Sequence, residues 1–219
     1  MFKRWFFGLL LLGVILSVSC SKHSRVLKGN DNEAKYEMAI DLYEKGDYYR
    51  AIQLFDQLVA LYRGTERLEK INYYYAQCYY QQEEYLLASY YFKRFAQNYP
   101  SNPNAEECMY LNAYCYYLDS PKYSLDQTKT YEAIKEMQLF VNIYPQSVYV
   151  DSCKIIMDNL RDKLERKAIE IGIQYYKTRH YKAAITSLES VLDDFPDSDN
   201  REQILYFIMK SYYYYAIYS

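Results

Sequence analysis

Tyrosines return at fixed intervals along this chain. Tyr36, Tyr73 and Tyr110 are spaced by 37 residues, and so are Tyr43, Tyr80 and Tyr117. A tyrosine ring offers large contact area with few rotors to freeze, and its hydroxyl can pair with backbone groups. The chemistry this pattern suits is therefore recognition rather than bond making. Covalent catalysis has little to work with, since no Gly-rich phosphate loop, G-x-S-x-G elbow or H-E-x-x-H helix occurs. His23 and His180 are the only histidines, and His180 is expected in a turn, near solvent or a helix terminus. Cys78, Cys108, Cys115 and Cys153 form no C-x-x-C pair, so neither a zinc site nor any other metal site is expected. Cys78 and Cys115 occupy one repeat position on adjacent helices, whose axes lie about 8–10 Å apart. A disulfide wants its Cα atoms within about 7 Å, so these thiols read as small buried apolar residues. The acidic pairs Glu83-Glu84, Glu106-Glu107 and Asp193-Asp194 read as solvated helix ends.

The same 37-residue step places Ala39, Ala76 and Ala113 in register, together with Leu42, Tyr79 and Tyr116. A period of this size marks a stacked array of one supersecondary unit. In the first unit the spacing predicts a helix over Glu33 to Lys45, a stop at Gly46-Asp47, and a second helix from Tyr48 to about Tyr62. The pattern resembles the tetratricopeptide repeat, with a small residue at position 8, Tyr at 17, Ala at 20, an aromatic at 24 and Pro at 32. The second unit matches it with Ala76, Tyr85, Ala88, Phe92 and Pro100. The third carries extra residues around Ser120 to Lys129, either a contact site or a spacer, and closes at Phe140 and Pro145. The fourth has a long first helix, roughly Val148 to Lys177, followed by Tyr181, Ala184 and Pro196. Tyr-Pro or Phe-Pro stops follow Asn98, Ile143 and Asp194, because proline lacks the N–H that a continuing helix needs. A fifth unit begins near Arg201 with only its first helix, read as truncation rather than as an end covered by a partner.

The expected fold is thus all-α, a tetratricopeptide-repeat α-solenoid of four full helix pairs plus an incomplete fifth, over residues 32–219. The resemblance implies that first-helix positions 5 and 12 line the inner wall. Position 5 is Tyr36, Tyr73, Tyr110 and Ile169, and position 12 is Tyr43, Tyr80, Tyr117 and Tyr176, with Tyr114 between them at position 9. These tyrosines either line a groove for an extended or β-prone, aromatic-rich peptide or pack against neighbouring helices as core.

The amino terminus has a separate logic. Lys3 and Arg4 precede an apolar run, Phe6 to Leu16, too short for a comfortable membrane span. Leu16-Ser17-Val18-Ser19-Cys20 resembles a bacterial lipobox, with Ser17 where Leu is usual. That resemblance makes residues 1–19 a signal peptide, Cys20 the lipidated residue and 20–31 a flexible tether; an ordinary cleaved signal before a chance cysteine is the alternative. Ser21 rather than Asp after the cysteine points to the outer membrane, with the body facing the periplasm. Acyl chains anchor without spanning, at about 0.8 kcal/mol per buried CH₂. With Lys3 and Arg4 set aside, 24 basic residues face 28 acidic ones, which argues against a nucleic-acid partner.

Lipobox, tether, repeats with Tyr-Pro stops, the long fourth-unit helix and the Leu125-Asp126-Gln127 insert together resemble the BamD family of outer-membrane assembly lipoproteins. The resemblance implies a non-enzymatic scaffold without cofactors beyond the covalent lipid. It implies binding to a BamA-like barrel protein and to unfolded β-barrel precursors, the latter through the amino-terminal units. Rival readings are a Tol-associated or secretion-pilot lipoprotein, and a carbohydrate-binding outer-membrane lipoprotein.

Overall fold

The computed structural model describes residues 22–218. The expected signal peptide, residues 1–19, and Cys20 lie outside the described residues. Among the described residues every regular element is a helix; after a helical stretch over 22–28 come α1 (Asn32–Glu44), α2 (Tyr48–Leu61), α3 (Arg67–Gln81), α4 (Tyr85–Asn98), α5 (Ala105–Leu118), α6 (Thr128–Ile143), α7 (Val150–Lys177), α8 (Tyr181–Asp194) and α9 (Arg201–Tyr218). They are the helix pairs of tetratricopeptide-type units, with bounds within about two residues of those read from the sequence. No helix among the described residues is long and apolar enough to cross a membrane. The described residues divide into two compact units that part between Cys115 and Tyr116.

Helix stops recur because the same chemistry recurs. Tyr99, Tyr144 and Phe195 each precede a proline and take nearly one conformation, φ −129°, −121° and −130°. The ring of a following proline keeps its predecessor out of the right-handed helical region. The turn inside the first, second and fourth pairs is a Schellman stop. In the first, Gly46 N–H donates to Tyr43 O and Asp47 N–H to Leu42 O, at 3.0 and 2.8 Å. Glu83 and Arg179 make the equivalent bonds, to Tyr80 O and Tyr176 O. All three residues have positive φ, 76° at Gly46, 61° at Glu83 and 63° at Arg179. A side chain there costs about 1 kcal/mol. Glu83→Gly and Arg179→Gly are each expected to raise stability by that order in urea titrations.

In the first unit the core joins Ala39, Leu42, Ala51, Leu54, Phe55, Leu58, Ile71, Tyr75 and Cys78. The small residues Ala39 and Ala51 are fully buried where α1 and α2 approach closely. The flexible tether expected before α1 is corrected here. Residues 22–28 are helical, His23 is buried with its ring nitrogen donating to Arg50 O at 3.3 Å, and Val26 and Leu27 pack on this core. Two adjacent apolar residues give that segment a face to bury, which outweighs its polar composition.

In the second unit Ile169, Ile173, Leu188, Val191, Ile204 and Ile208 form the core of α7, α8 and α9. Gly172 holds the place that Ala39, Ala76 and Ala113 hold elsewhere. A Cβ built on Gly172 would lie 2.5 Å from the buried Leu188 side chain, so only glycine lets α7 and α8 approach this far. Gly172→Ala is expected to destabilise the second unit by about 1–3 kcal/mol through overpacking, less the roughly 1 kcal/mol that alanine gains in a helix. Thermal unfolding would register it as a lowered midpoint.

The inserted segment between α5 and α6 is a fastened loop. Buried Gln127 donates to Lys122 O and Leu125 O at 2.8 and 2.9 Å and accepts from Thr130 Oγ1 at 2.7 Å. From α7, Lys163 donates to Pro121 O at 3.0 Å and Lys167 to Leu125 O at 2.5 Å, while the Arg166 guanidinium sits 4.3 Å from the Tyr123 ring. The length of α7 thus has a local use: its middle turns supply the cations that cap this loop's carbonyls.

Candidate functional site

The two tyrosine series start on α1 and α3, whose repeat spacing puts equivalent side chains beside one another. In the first unit a cleft of about 510 Å³ opens between these helices and the end of α4. Tyr36, Ile40, Tyr73, Tyr74 and Phe95 form its apolar surface, and Glu37, Asp41, Glu44, Glu69 and Lys70 its polar rim. Tyr36 is half-buried beneath the Arg67 guanidinium, 4.8 Å from its ring, and Arg67 pairs with Glu33. Tyr73 stands edge-on to Tyr74 and Phe95, with centroids 5.7 and 5.8 Å away. Its hydroxyl donates toward Glu107 Oε2 at 3.4 Å and accepts from Gln77 Nε2 at 3.2 Å.

The position-12 tyrosines pack more than they present. Tyr43 sits edge-on to Tyr48 and Tyr74, and Tyr80 to Tyr85 and Phe92. Tyr110 and Tyr114 stack with centroids 5.6 Å apart. In the second unit Tyr117 is half-buried, and Tyr176 meets Phe207 edge-on at 5.3 Å. All eight candidate tyrosines are half-buried, so each is held by neighbours and keeps part of its ring at the surface. Tyr36 and Tyr73 are brought together in this first-unit cleft.

Burial sets their acidity. It pushes Tyr73 up to about 12, with the Glu107 carboxylate adding to the effect, and raises Tyr43, Tyr79 and Tyr80 as well. A phenol whose folded pKa exceeds its unfolded value keeps a proton that the unfolded chain has released. Stability is then whole below pH 10 and falls as pH climbs from 10 toward 12. Ultraviolet titration at 295 nm should show a native phenolate curve displaced to higher pH than the urea-unfolded one; superimposed curves would contradict this.

Sequence spacing missed Tyr74 and Phe95. Tyr74 joins the floor, yet its counterparts one repeat away are Glu37 and Leu111, so no ladder marks it. Phe95 arrives from α4 and belongs to a different repeat position. The cysteines are as read: Cys78, Cys108, Cys115 and Cys153 are buried and form no disulfide, and burial raises Cys78 to about 12 and Cys153 to about 11. Such thiols are inert. His180 is exposed at the start of α8, its Nδ1 3.0 Å from Thr178 Oγ1, and the acidic pairs do lie at helix ends. A second cleft, of about 1070 Å³, lies among α7, α8 and α9, where Tyr175, Tyr181, Tyr215 and Tyr218 meet Arg179 and Lys182.

The chain also has recognisable relatives among known proteins. A family model described as "Outer membrane lipoprotein", YfiO, matches residues 28–217. The outer membrane protein assembly factor BamD of Caulobacter vibrioides is 24% identical over 180 residues, 82% of this chain and 59% of that protein. Its namesake in Rickettsia prowazekii is 24% identical over 94% of this chain and 82% of its own length. The BamD of Buchnera aphidicola is 22% identical, covering 94% and 89%. A Podosopora anserina structure with nearly identical TPR-like repeats overlaps with a TM-score of 0.37 at 13% identity, covering 85% of this chain and 87% of that one. Half-buried tyrosine series on paired helices and a family match across almost the whole described length lead to one assignment: the chain belongs to the YfiO family of outer membrane lipoproteins, BamD assembly factors among its relatives.

Proposed function

We propose that this protein is a non-enzymatic, lipid-anchored component of the machinery that assembles β-barrel proteins in the outer membrane. Cys20 carries the lipid, the repeats face the periplasm, and the scaffold holds a BamA-like barrel protein while receiving unfolded barrel precursors. The observation that carries the reading is the first-unit cleft, whose tyrosine rings are fixed by neighbours yet part-exposed. A rigid aromatic surface binds an extended, aromatic-rich segment at low entropic cost. The relatives' shared name, outer membrane protein assembly factor, supports the setting.

A pull-down from mild detergent on the tagged full chain, beside a Cys20→Ala control, tests the proposal. The expected result is a barrel-assembly protein in stoichiometric amount, and loss of outer-membrane association for Cys20→Ala. Recovery of a Tol or secretion component instead would replace the assembly reading with that of an envelope scaffold.

A further inference from the structure

We infer that the first-unit cleft selects aromatic segments flanked by lysine or arginine, and disfavours those flanked by acidic residues. This rests on the reading of that cleft as a binding surface for extended, aromatic-rich chain. The rim is unequal in charge: Glu37, Asp41, Glu44 and Glu69 supply carboxylates against the single ammonium of Lys70 among the lining residues. Two of those carboxylates are already engaged, Asp41 with Lys45 at 2.6 Å and Glu69 with Asn102 Nδ2 at 2.8 Å. Glu37 and Glu44 are exposed and make no ion pair among the described residues. They lie seven residues apart on α1, two helical turns, so both project from one face. Ile40 and Asp41 fall between them on that side of the cleft.

An occupant therefore meets rings in the floor and a row of uncommitted negative charge along one wall. In an extended strand, side chains alternate between two faces at about 3.3 Å per residue. A segment that places a tyrosine or phenylalanine on the floor can carry a lysine or arginine at a neighbouring position toward Glu37 or Glu44. Rim charges of this kind govern choice of partner more than total affinity, and they weaken with added salt. The Arg67 guanidinium does not cancel the wall, because it is spent on Glu33 and on the Tyr36 ring.

The test is fluorescence anisotropy on the full-length protein in mild detergent, with three labelled nine-residue peptides of equal length. One alternates tyrosine with lysine, one alternates tyrosine with glutamate, and one keeps the lysines but replaces each tyrosine with serine. At low salt the tyrosine–lysine peptide is expected to bind roughly tenfold more tightly than the tyrosine–glutamate peptide. The preference should shrink at 0.5 M salt and vanish or invert in Glu37→Lys/Glu44→Lys, whose helical circular dichroism should stay unchanged because both positions are exposed. Equal binding of the two tyrosine peptides, or a preference that survives the double substitution, overturns the charge selectivity and leaves the aromatic cleft standing. Binding of the serine–lysine peptide as tightly as the tyrosine–lysine one, or no binding by either tyrosine peptide, overturns both the inference and the reading of the cleft.

Discussion

Replacing Phe55 by alanine is expected to destabilise the first unit by about 3–5 kcal/mol. Phe55 is fully buried where α2 meets α1 and α3, and it is among the largest side chains removed entirely from water. No neighbour can collapse into the space without disturbing another repeat contact, because the fully buried Ala39, Ala51 and Leu58 already meet in the same core. The effect should reach the surface too. Phe55 stacks nearly parallel to Tyr74, 7° between planes with centroids 6.2 Å apart, and Tyr74 supports both Tyr43 and Tyr73. Urea unfolding followed by helical circular dichroism gives the stability loss, and peptide binding measured well below the transition gives the second effect. Phe55→Leu should keep most of the stability while loosening Tyr74. A loss under 1 kcal/mol for Phe55→Ala would mean that the array does not depend on this core.

Removing the cleft's own rings is the second large effect. Tyr36→Ala/Tyr73→Ala is expected to weaken binding of aromatic-rich barrel-precursor peptides roughly 30-fold, the size of loss typical when two interface aromatics are truncated. Stability should change far less than in Phe55→Ala, since both rings are only half-buried. Tyr73→Phe separates the contributions: it gives up the hydroxyl's bonds to Glu107 and Gln77 and keeps the ring against Phe95. Near-normal binding by Tyr73→Phe would locate the energy in the ring. Unchanged binding by the double alanine variant, together with a stability loss of several kcal/mol, would show the tyrosines to be core.

Much of this molecule is legible because each signal has one local cause. A proline fixes its predecessor, so Pro100, Pro145 and Pro196 mark three helix ends without reference to anything distant. The extra residues between Ala113 and Ala133 had to become a loop once the flanking positions were in register. Other features depend on partners that spacing cannot supply. Glu83 and Arg179 adopt a glycine conformation because the turn geometry, set by the two packed helices, outweighs their own preference. Lys35 is buried at a core-facing position because Gln57 accepts from its ammonium at 2.7 Å, where the equivalent residues of other units are Asn72, Met109 and Ala168. Residues 22–28 read as tether because Val26 and Leu27 are too few to show a period. The cleft was half legible: the repeat marks Tyr36 and Tyr73, while Tyr74, Phe95 and the acidic wall break the repeat and emerge only when α1, α3 and α4 are packed together.

The most direct test of the account replaces Tyr73 with a photo-crosslinking phenylalanine in the lipid-anchored protein, within cells exporting a labelled barrel precursor. The account predicts a crosslink between position 73 and the precursor before its insertion, and a much weaker one from position 75, where the native tyrosine is only 5% exposed. Equal yields from the two positions, or crosslinks from position 73 confined to this protein's own helices, would contradict it.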